Sequence, residues 1–399
     1  MASATDVPAV PDVPDDELPR PTPDAPARGR RVWSALAPAG VYVAVRLIGV
    51  AVLGLMADSG KLTTALNAWD GTWMVAIARY GYAVPDDMLD AFGNHTTDTA
   101  KAFFPGYPAV VAATGWLTGG DLILAGLIVS LVAGIVAAYG LTRLGELVPG
   151  GSRRAGLLLV GLFAAAPMGV VLSMTYTEAL FCAFTAWALV GVLRRQWVLA
   201  GVCTLAAGLV RPTATALIAA VGLAALVAVI RRRDGWRPWV GAILAPCGVL
   251  GYLAYVALAT GQLDGWSRIQ RAGWASYLDG GASTAKFAGQ ALAGGSEVYD
   301  LAIVLALAAS LVLLALAIRM RLPWPLVVYG GLVLVLVWGS NGPAHSKLRL
   351  LVPAFTLLLP VAVGLARRRT GTAVAVVVAA ALASAWFGGY ALTIWHYGI

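Results

Sequence analysis

Trp69-Asp70-Gly71-Thr72-Trp73 sits inside a polar loop, Asp58 to Pro108, that interrupts an otherwise apolar chain. The loop gathers aspartates, aromatics and glycines, and it closes on Phe103-Phe104-Pro105-Gly106-Tyr107-Pro108. On both sides the sequence runs in apolar stretches of roughly 18 to 25 residues, long enough to cross a bilayer. The side of the membrane that receives this loop is therefore the side on which the chain offers polar chemistry.

The composition agrees. Of 399 residues, 59% are hydrophobic and 12% charged, with a mean hydropathy of +0.79. A soluble domain carries about 25% charged residues, so the chain is read as an all-α polytopic membrane protein. Its formal net charge of +8 does not indicate nucleic acid. The arginines stand in short clusters between apolar runs, as the positive-inside rule produces. Cys182, Cys203 and Cys247 lie within apolar runs and read as small buried hydrophobes, not as a disulfide framework. His95, His345 and His396 are too scattered for a metal motif.

Residues 1–32, rich in Pro, Asp and Ala, lack an apolar region suited to a cleavable signal and are expected to be a disordered cytoplasmic tail. Residues 33–399 are expected to form a single transmembrane domain. The basic turns at Arg143/Arg153/Arg154, Arg194/Arg195, Arg231–Arg233, Arg319/Arg321 and Arg367–Arg369 are taken as cytoplasmic. Spans then pair between them at 32–57, 121–144, 156–174, 177–194, 198–211, 213–231, 239–260, 300–319, 323–339, 349–366 and 372–396. That makes about eleven helices, with the N-terminus inside and the C-terminus outside. Phe103–Leu117, short and broken by prolines, is expected to be re-entrant or interfacial. The non-cytoplasmic face collects the first loop (58–120), the turn near 174–178, the Arg211-Pro212 junction, a second long loop (261–299) and residues 340–348.

Several side chains on that face suit chemistry. Asp70 opens a segment, Gly71–Tyr80, in which Trp73, Met74, Ile77 and Ala78 recur at helical spacing. The pattern predicts an amphipathic helix on the membrane surface with those residues in lipid. Asp70 is then either an N-cap or a reactive carboxylate. Glu178 lies at a tight turn between spans and needs water or a partner such as Arg211, or else serves the N-terminus of the next helix. Arg211, at a span end, either snorkels or functions. His345, Lys347 and Arg349 form a basic cluster that breaches the orientation rule, and a lipid phosphate would account for the breach. Trp266 and Arg268, with Gln270, Arg271, Trp274 and Tyr277, suit sugar stacking and hydroxyl recognition, and equally an interfacial aromatic belt. Arg46, mid-span, is expected to face the bundle interior and pair with a carboxylate, because a lone charge there costs at least about 2.5–3.5 kcal/mol. Asp86, Asp87, Asp90, His95 and Asp98 could gather a divalent cation, but their spacing fits no ligand template and a solvated acidic loop is the favoured reading, so no cofactor is required.

The Trp69–Trp73 block together with Ile77-Ala78-Arg79-Tyr80-Gly81-Tyr82 resembles the signature of the PIG-V-like mannosyltransferases, membrane enzymes of the GT-C glycosyltransferase superfamily. Phe103–Pro108, Tyr176-Thr177-Glu178-Ala179-Leu180-Phe181 (Ala179 where that family usually has Ser) and Arg211-Pro212-Thr213 resemble its following blocks. The resemblance implies a GT-C-like fold in a bacterial-type plasma membrane, serving the cell envelope. It implies inverting transfer of a sugar, mannose by likeness, from a polyprenyl-phosphate donor to a hydroxyl on a glycan or lipid acceptor. Asp70 is carried over as the general base. Arg211, His345, Lys347 and Arg349 are then expected at the donor phosphate, and Trp69, Trp73, Tyr107, Tyr176, Glu178, Trp266 and Arg268 around the substrates. The alternatives are a lipid or glycolipid transporter or flippase, or a non-catalytic scaffold of the same architecture. A transporter should show ionisable residues through its midplane or broken repeats, and no repeat announces itself here.

Overall fold

In a computed structural model the described residues are 28–294, 297–395 and 398, so most of the expected tail lies outside them. Their regular secondary structure is helical; extended pairing among them is limited to one isolated bridge between Leu278 and Ser340. The helices are α1 (Arg28–Met56), α2 (Leu62–Leu66), α3 (Asp70–Tyr80), α4 (Gly106–Thr114), α5 (Leu122–Leu147), α6 (Arg153–Ala164), α7 (Glu178–Leu193), α8 (Trp197–Val210) and α9 (Ala214–Ile230). They continue as α10 (Arg237–Thr260), α11 (Gly265–Trp274), α12 (Ala282–Ala293), α13 (Val298–Arg319), α14 (Trp324–Gly339), α15 (Lys347–Leu351), α16 (Leu359–Ala366) and α17 (Thr370–Thr393). Helix α1 begins at Arg28, inside the segment expected to be tail.

Among the described residues six helical stretches are long and apolar enough to cross a membrane: 33–56, 122–147, 237–260, 298–319, 344–366 and 370–393. The expected spans at 177–194, 198–211, 213–231 and 323–339 form apolar helices of 10–17 residues, below the roughly 20 needed for a straight crossing. The one expected at 156–174 is broken. Helix α6 stops ahead of Pro167, which offers no N–H to continue it, and a short 3₁₀ turn, Gly169–Ser173, follows. Helix α4 has nine residues, about 14 Å at 1.5 Å per residue, under half the hydrocarbon thickness. The structure is that of an all-helical, multi-pass membrane protein.

The faces match a lipid setting. Helix α10 exposes Ile243, Leu250 and Leu258, and α17 exposes Val374, Val378 and Leu382. Small residues turn inward instead. Along α8 and α10, a Cβ on Gly201 would stand 2.9 Å from Gly241 Cα, and one on Gly208 2.8 Å from Val249 N. With no hydrophobic drive between helices inside lipid, such close backbone contact supplies the packing attraction.

Arg46 is buried in this bundle, but its partners are not the expected carboxylate. Its Nη1 donates to the Ala164 carbonyl at 2.6 Å and its Nε to Ser173 Oγ at 2.9 Å. Ser384 Oγ donates to the neighbouring Ala166 carbonyl at 2.6 Å. The break before Pro167 strands carbonyls at the end of α6, and in lipid those must be satisfied internally. Arg46 does so.

The turns alternate between two ends. At one end Arg143 and Arg153 share Glu146 (2.8 and 3.9 Å), Arg154 donates to the Arg368 carbonyl at 2.8 Å, and Arg195 lies 3.9 Å from Asp234. The first turns of α3 and α7, the α8–α9 junction and α15 meet at the other.

Candidate active site

Asp70 is the first residue of α3, and its N-cap is Trp69, which makes no side-chain cap. The Asp70 carboxylate is thus not occupied in capping. Trp69 adopts φ +56°, a left-handed value uncommon for a bulky side chain. Its carbonyl accepts from Thr72 Oγ1 at 2.7 Å, which helps to hold the turn. The turn is strapped to the segment before α7. Thr175 N donates to the Leu66 carbonyl at 3.1 Å, Thr175 Oγ1 to Asn67 Oδ1 at 2.7 Å, and Tyr176 OH to the Ala68 carbonyl at 3.3 Å. Gly71 makes this approach possible, because a Cβ there would collide with Thr175 Oγ1.

The strap brings two acidic helix starts together. Glu178 is the first residue of α7, likewise with no side-chain cap from its N-cap Thr177, and it is fully buried. A carboxylate in the first turn gains from the free N–H groups and the helix dipole. Two arginines arrive from later in the chain. Arg211, released into extended backbone (φ −150°) where α8 ends ahead of Pro212, pairs with Glu178 and donates to Thr177 Oγ1 at 2.8 Å. Arg349, from α15, donates from Nη1 to Asp70 Oδ2 at 2.7 Å, and its Nε lies 4.0 Å from Glu178 Oε1. Its guanidinium also stands 5.3 Å from the centre of the Tyr176 ring, in cation–π range.

The cluster therefore carries two negative and two positive side chains. Burial, followed by the Asp70 charge, holds the Tyr176 phenol above its usual range, so it remains a donor. Glu178 has no exposure, Arg211 and Arg349 expose 10% and 14% of their side chains, and Asp70 exposes 29%. The cluster's opening is at Asp70. The Nε–H groups of Arg211 and Arg349 are buried without a hydrogen-bond acceptor. Two unanswered guanidinium donors are costly among protein atoms, and they suit a multi-oxygen anion.

The other expected site residues make contacts outside this cluster. Lys347 is buried and donates to the Val337 and Ser340 carbonyls at 2.8 and 2.7 Å, closing the C-terminus of α14. Its charge answers the negative end of that helix. His345 lies 3.5 Å from Asp300 and 4.6 Å from the Trp395 ring, in an aromatic group with Tyr299. Trp73, Met74 and Ile77 are buried in protein, correcting the expectation of a lipid-facing surface helix. Trp73 stacks on Phe103 at 5.3 Å and meets Trp274 edge-on at 6.0 Å. Tyr107 is fully buried and donates to the Gly126 carbonyl at 2.9 Å. Trp266 donates to the Ala102 carbonyl at 3.2 Å and packs on Phe104, so α11 clamps the first loop. Arg268 forms an exposed pair with Asp264 at 2.8 Å, and Trp69 is exposed.

In the acidic stretch, Asp90 Oδ1 accepts from the Phe92 and Asn94 N–H groups, His95 lies 3.3 Å from Asp86, and Asp98 pairs with Lys101 at 2.6 Å. Among the described residues no three His, Cys, Asp or Glu side chains gather at metal-binding distance. The sequence reading overlooked Asn67, Thr175 and Thr177 as supports. Thr175 and Thr177 flank Tyr176 in the block already marked as functional, which was the available signal.

No protein-family model and no curated protein matches the sequence. Solved structures do. ArnT from Cupriavidus metallidurans bound to undecaprenyl phosphate superposes with a TM-score of 0.53 at 15% identity, covering 84% of this chain and 61% of ArnT. Over that part the chain is similar in fold to ArnT. The archaeal oligosaccharyltransferase AglB from Archaeoglobus fulgidus, in complex with an inhibitory peptide and a dolichol-phosphate, gives a TM-score of 0.50 at 14% identity, over 92% of this chain and 56% of AglB. This chain thus spans about three-fifths of the length of either neighbour. The likeness lies in helical arrangement, since so low an identity carries little side-chain correspondence.

Proposed function

We propose that the chain is a GT-C membrane glycosyltransferase that moves a sugar from a polyprenyl-phosphate donor to a hydroxyl acceptor on the non-cytoplasmic face, with inversion. The observation that carries this reading is the cluster itself: a partly open carboxylate, Asp70, beside two buried guanidiniums with unanswered donors. The fold neighbours add support, since both were solved with a polyprenyl-type phosphate. The four sequence blocks favour the PIG-V-like subfamily and therefore mannose.

The chemistry follows from the residues. Asp70 takes the proton from the acceptor hydroxyl as its oxygen attacks the anomeric carbon. The bond from that carbon to the phosphate oxygen breaks, and its electron pair leaves with the phosphate. Arg211 and Arg349 receive the charge developing there, where a low-dielectric setting makes fixed donors most effective. Glu178 has no exposure with which to reach an acceptor, and it acts as the counter-charge that positions both arginines. The roles expected of His345 and Lys347 at the phosphate are not part of this proposal. With eleven crossings, counting the four short apolar helices and the broken 156–174 segment as tilted or half-buried spans, the N-terminus is cytoplasmic and the arginine-rich turns share its side. Asp70 then faces outward.

The test is transfer by the purified protein in proteoliposomes from polyprenyl-phosphate donors carrying labelled mannose or arabinose, against a panel of glycan and lipid acceptors. Mannose transfer is expected. Transfer from arabinose alone would move the chain out of the mannosyltransferase reading. No transfer from either, with donor shown to bind, would favour a scaffold.

A further inference from the structure

Asp70 holds one edge of the guanidinium that a donor phosphate would also draw on. Asp70 Oδ2 accepts from Arg349 Nη1 at 2.7 Å, and that lone pair cannot also receive an acceptor hydroxyl. Arg349 is at the same time one of the two arginines whose buried Nε–H has no acceptor. A phosphate, with several charged oxygens in a fork-matching geometry, is the stronger claimant on a guanidinium than one edge of a half-engaged carboxylate. Glu178 makes the handover feasible. It lies 4.0 Å from Arg349 Nε and is paired to Arg211, so Arg349 keeps a counter-charge whichever partner it holds.

Resting on the proposed function, we propose that Arg349 exchanges between Asp70 and the donor phosphate, so that donor binding is what frees the catalytic base. Arg349 is then a positioning residue for Asp70 as well as a phosphate ligand. The exchange imposes an order: donor first, acceptor activation second. It also means that donor affinity is reduced by the fraction of Arg349 still held by Asp70.

The competition can be read directly. Undecaprenyl phosphate, which has no sugar to transfer, is the probe, and its binding is measured on full-length wild type, Asp70→Asn, Arg349→Gln and the double variant. Removing the competing charge should make Asp70→Asn bind at least about fivefold tighter, the lower edge of ordinary site-to-site coupling. In the Arg349→Gln background the same change should shift affinity by less than about twofold, because the shared partner is gone. Equal or weaker binding by Asp70→Asn overturns the exchange. An equal gain in both backgrounds overturns it too, since simple repulsion between Asp70 and phosphate would then suffice.

A readout on wild type alone covers the case in which Arg349→Gln does not fold. Modification of Asp70 by a water-soluble carbodiimide, mapped by mass spectrometry, should rise when undecaprenyl phosphate is added; no change or a fall contradicts the exchange. Failure of the wild type to bind undecaprenyl phosphate would instead remove the donor class, and the exchange with it.

Discussion

Glu178→Gln is expected to lower the stability of the folded protein by about 3–5 kcal/mol, the usual result of taking one partner from a buried ion pair. Glu178 has no exposure and lies against Arg211, whose side chain is 10% exposed, with Arg349 Nε 4.0 Å away. An amide of the same shape keeps the packing and removes the charge. Arg211 would keep an amide oxygen and Thr177 Oγ1 as acceptors but lose its counter-charge. Thermal unfolding of the detergent-solubilised protein, with wild type alongside, measures this. The informative companion is Glu178→Leu with Arg211→Met, in which both charges go together. Buried pairs replaced by apolar residues are often neutral or stabilising, so the double variant should regain most of the lost stability while remaining inactive. A melting point for Glu178→Gln equal to wild type would mean that the cluster is solvated in a way its burial denies.

Asp70→Asn should have the opposite profile. Its side chain is 29% exposed at the mouth of the cluster, where a screened pair contributes little to stability. The fold should therefore survive with a small shift in melting temperature. Transfer should fall by about 10²–10⁴-fold, the range general-base catalysis supplies. The loss should appear in kcat, with the donor KM lowered and not raised, because the amide cannot take a proton while the arginines, no longer shared with Asp70, still hold the phosphate. A rise in donor KM at unchanged kcat would move Asp70 from the chemistry to binding.

Much of the cluster could be read from the sequence. Asp70, Glu178, Arg211 and Arg349 stand out because a charge at the edge of an apolar run is costly and needs a reason. The alternation of basic turns placed them on one face. Sequence spacing could not show which charge meets which. That Asp70 takes Arg349 while Glu178 takes Arg211 depends on the Leu66–Glu178 strap and on how α15 enters the bundle. Aromatic residues carry a related ambiguity. Trp73, Tyr107 and Trp266 have the surface to stack on a sugar, but that same surface packs a core, and here they close the first loop onto α5 and α11. Lys347 and Arg46 show a third effect. Each satisfies carbonyls at a helix end, a need created by where the helices break. The span count is matched only in part, because four of the expected spans form helices of 10–17 residues, whose length in the sequence does not show whether they cross.

The configuration of the transferred sugar tests most directly the central claim, a single displacement with Asp70 as base. Wild-type protein is given a polyprenyl-phosphate sugar of known anomeric configuration, and the product linkage is assigned by NMR. The account expects the opposite anomer from the donor, formed without a covalent glycosyl-protein adduct, because the cluster offers one open carboxylate and no nucleophile opposite it. Retention of configuration, or a trapped sugar on Asp70, would contradict it.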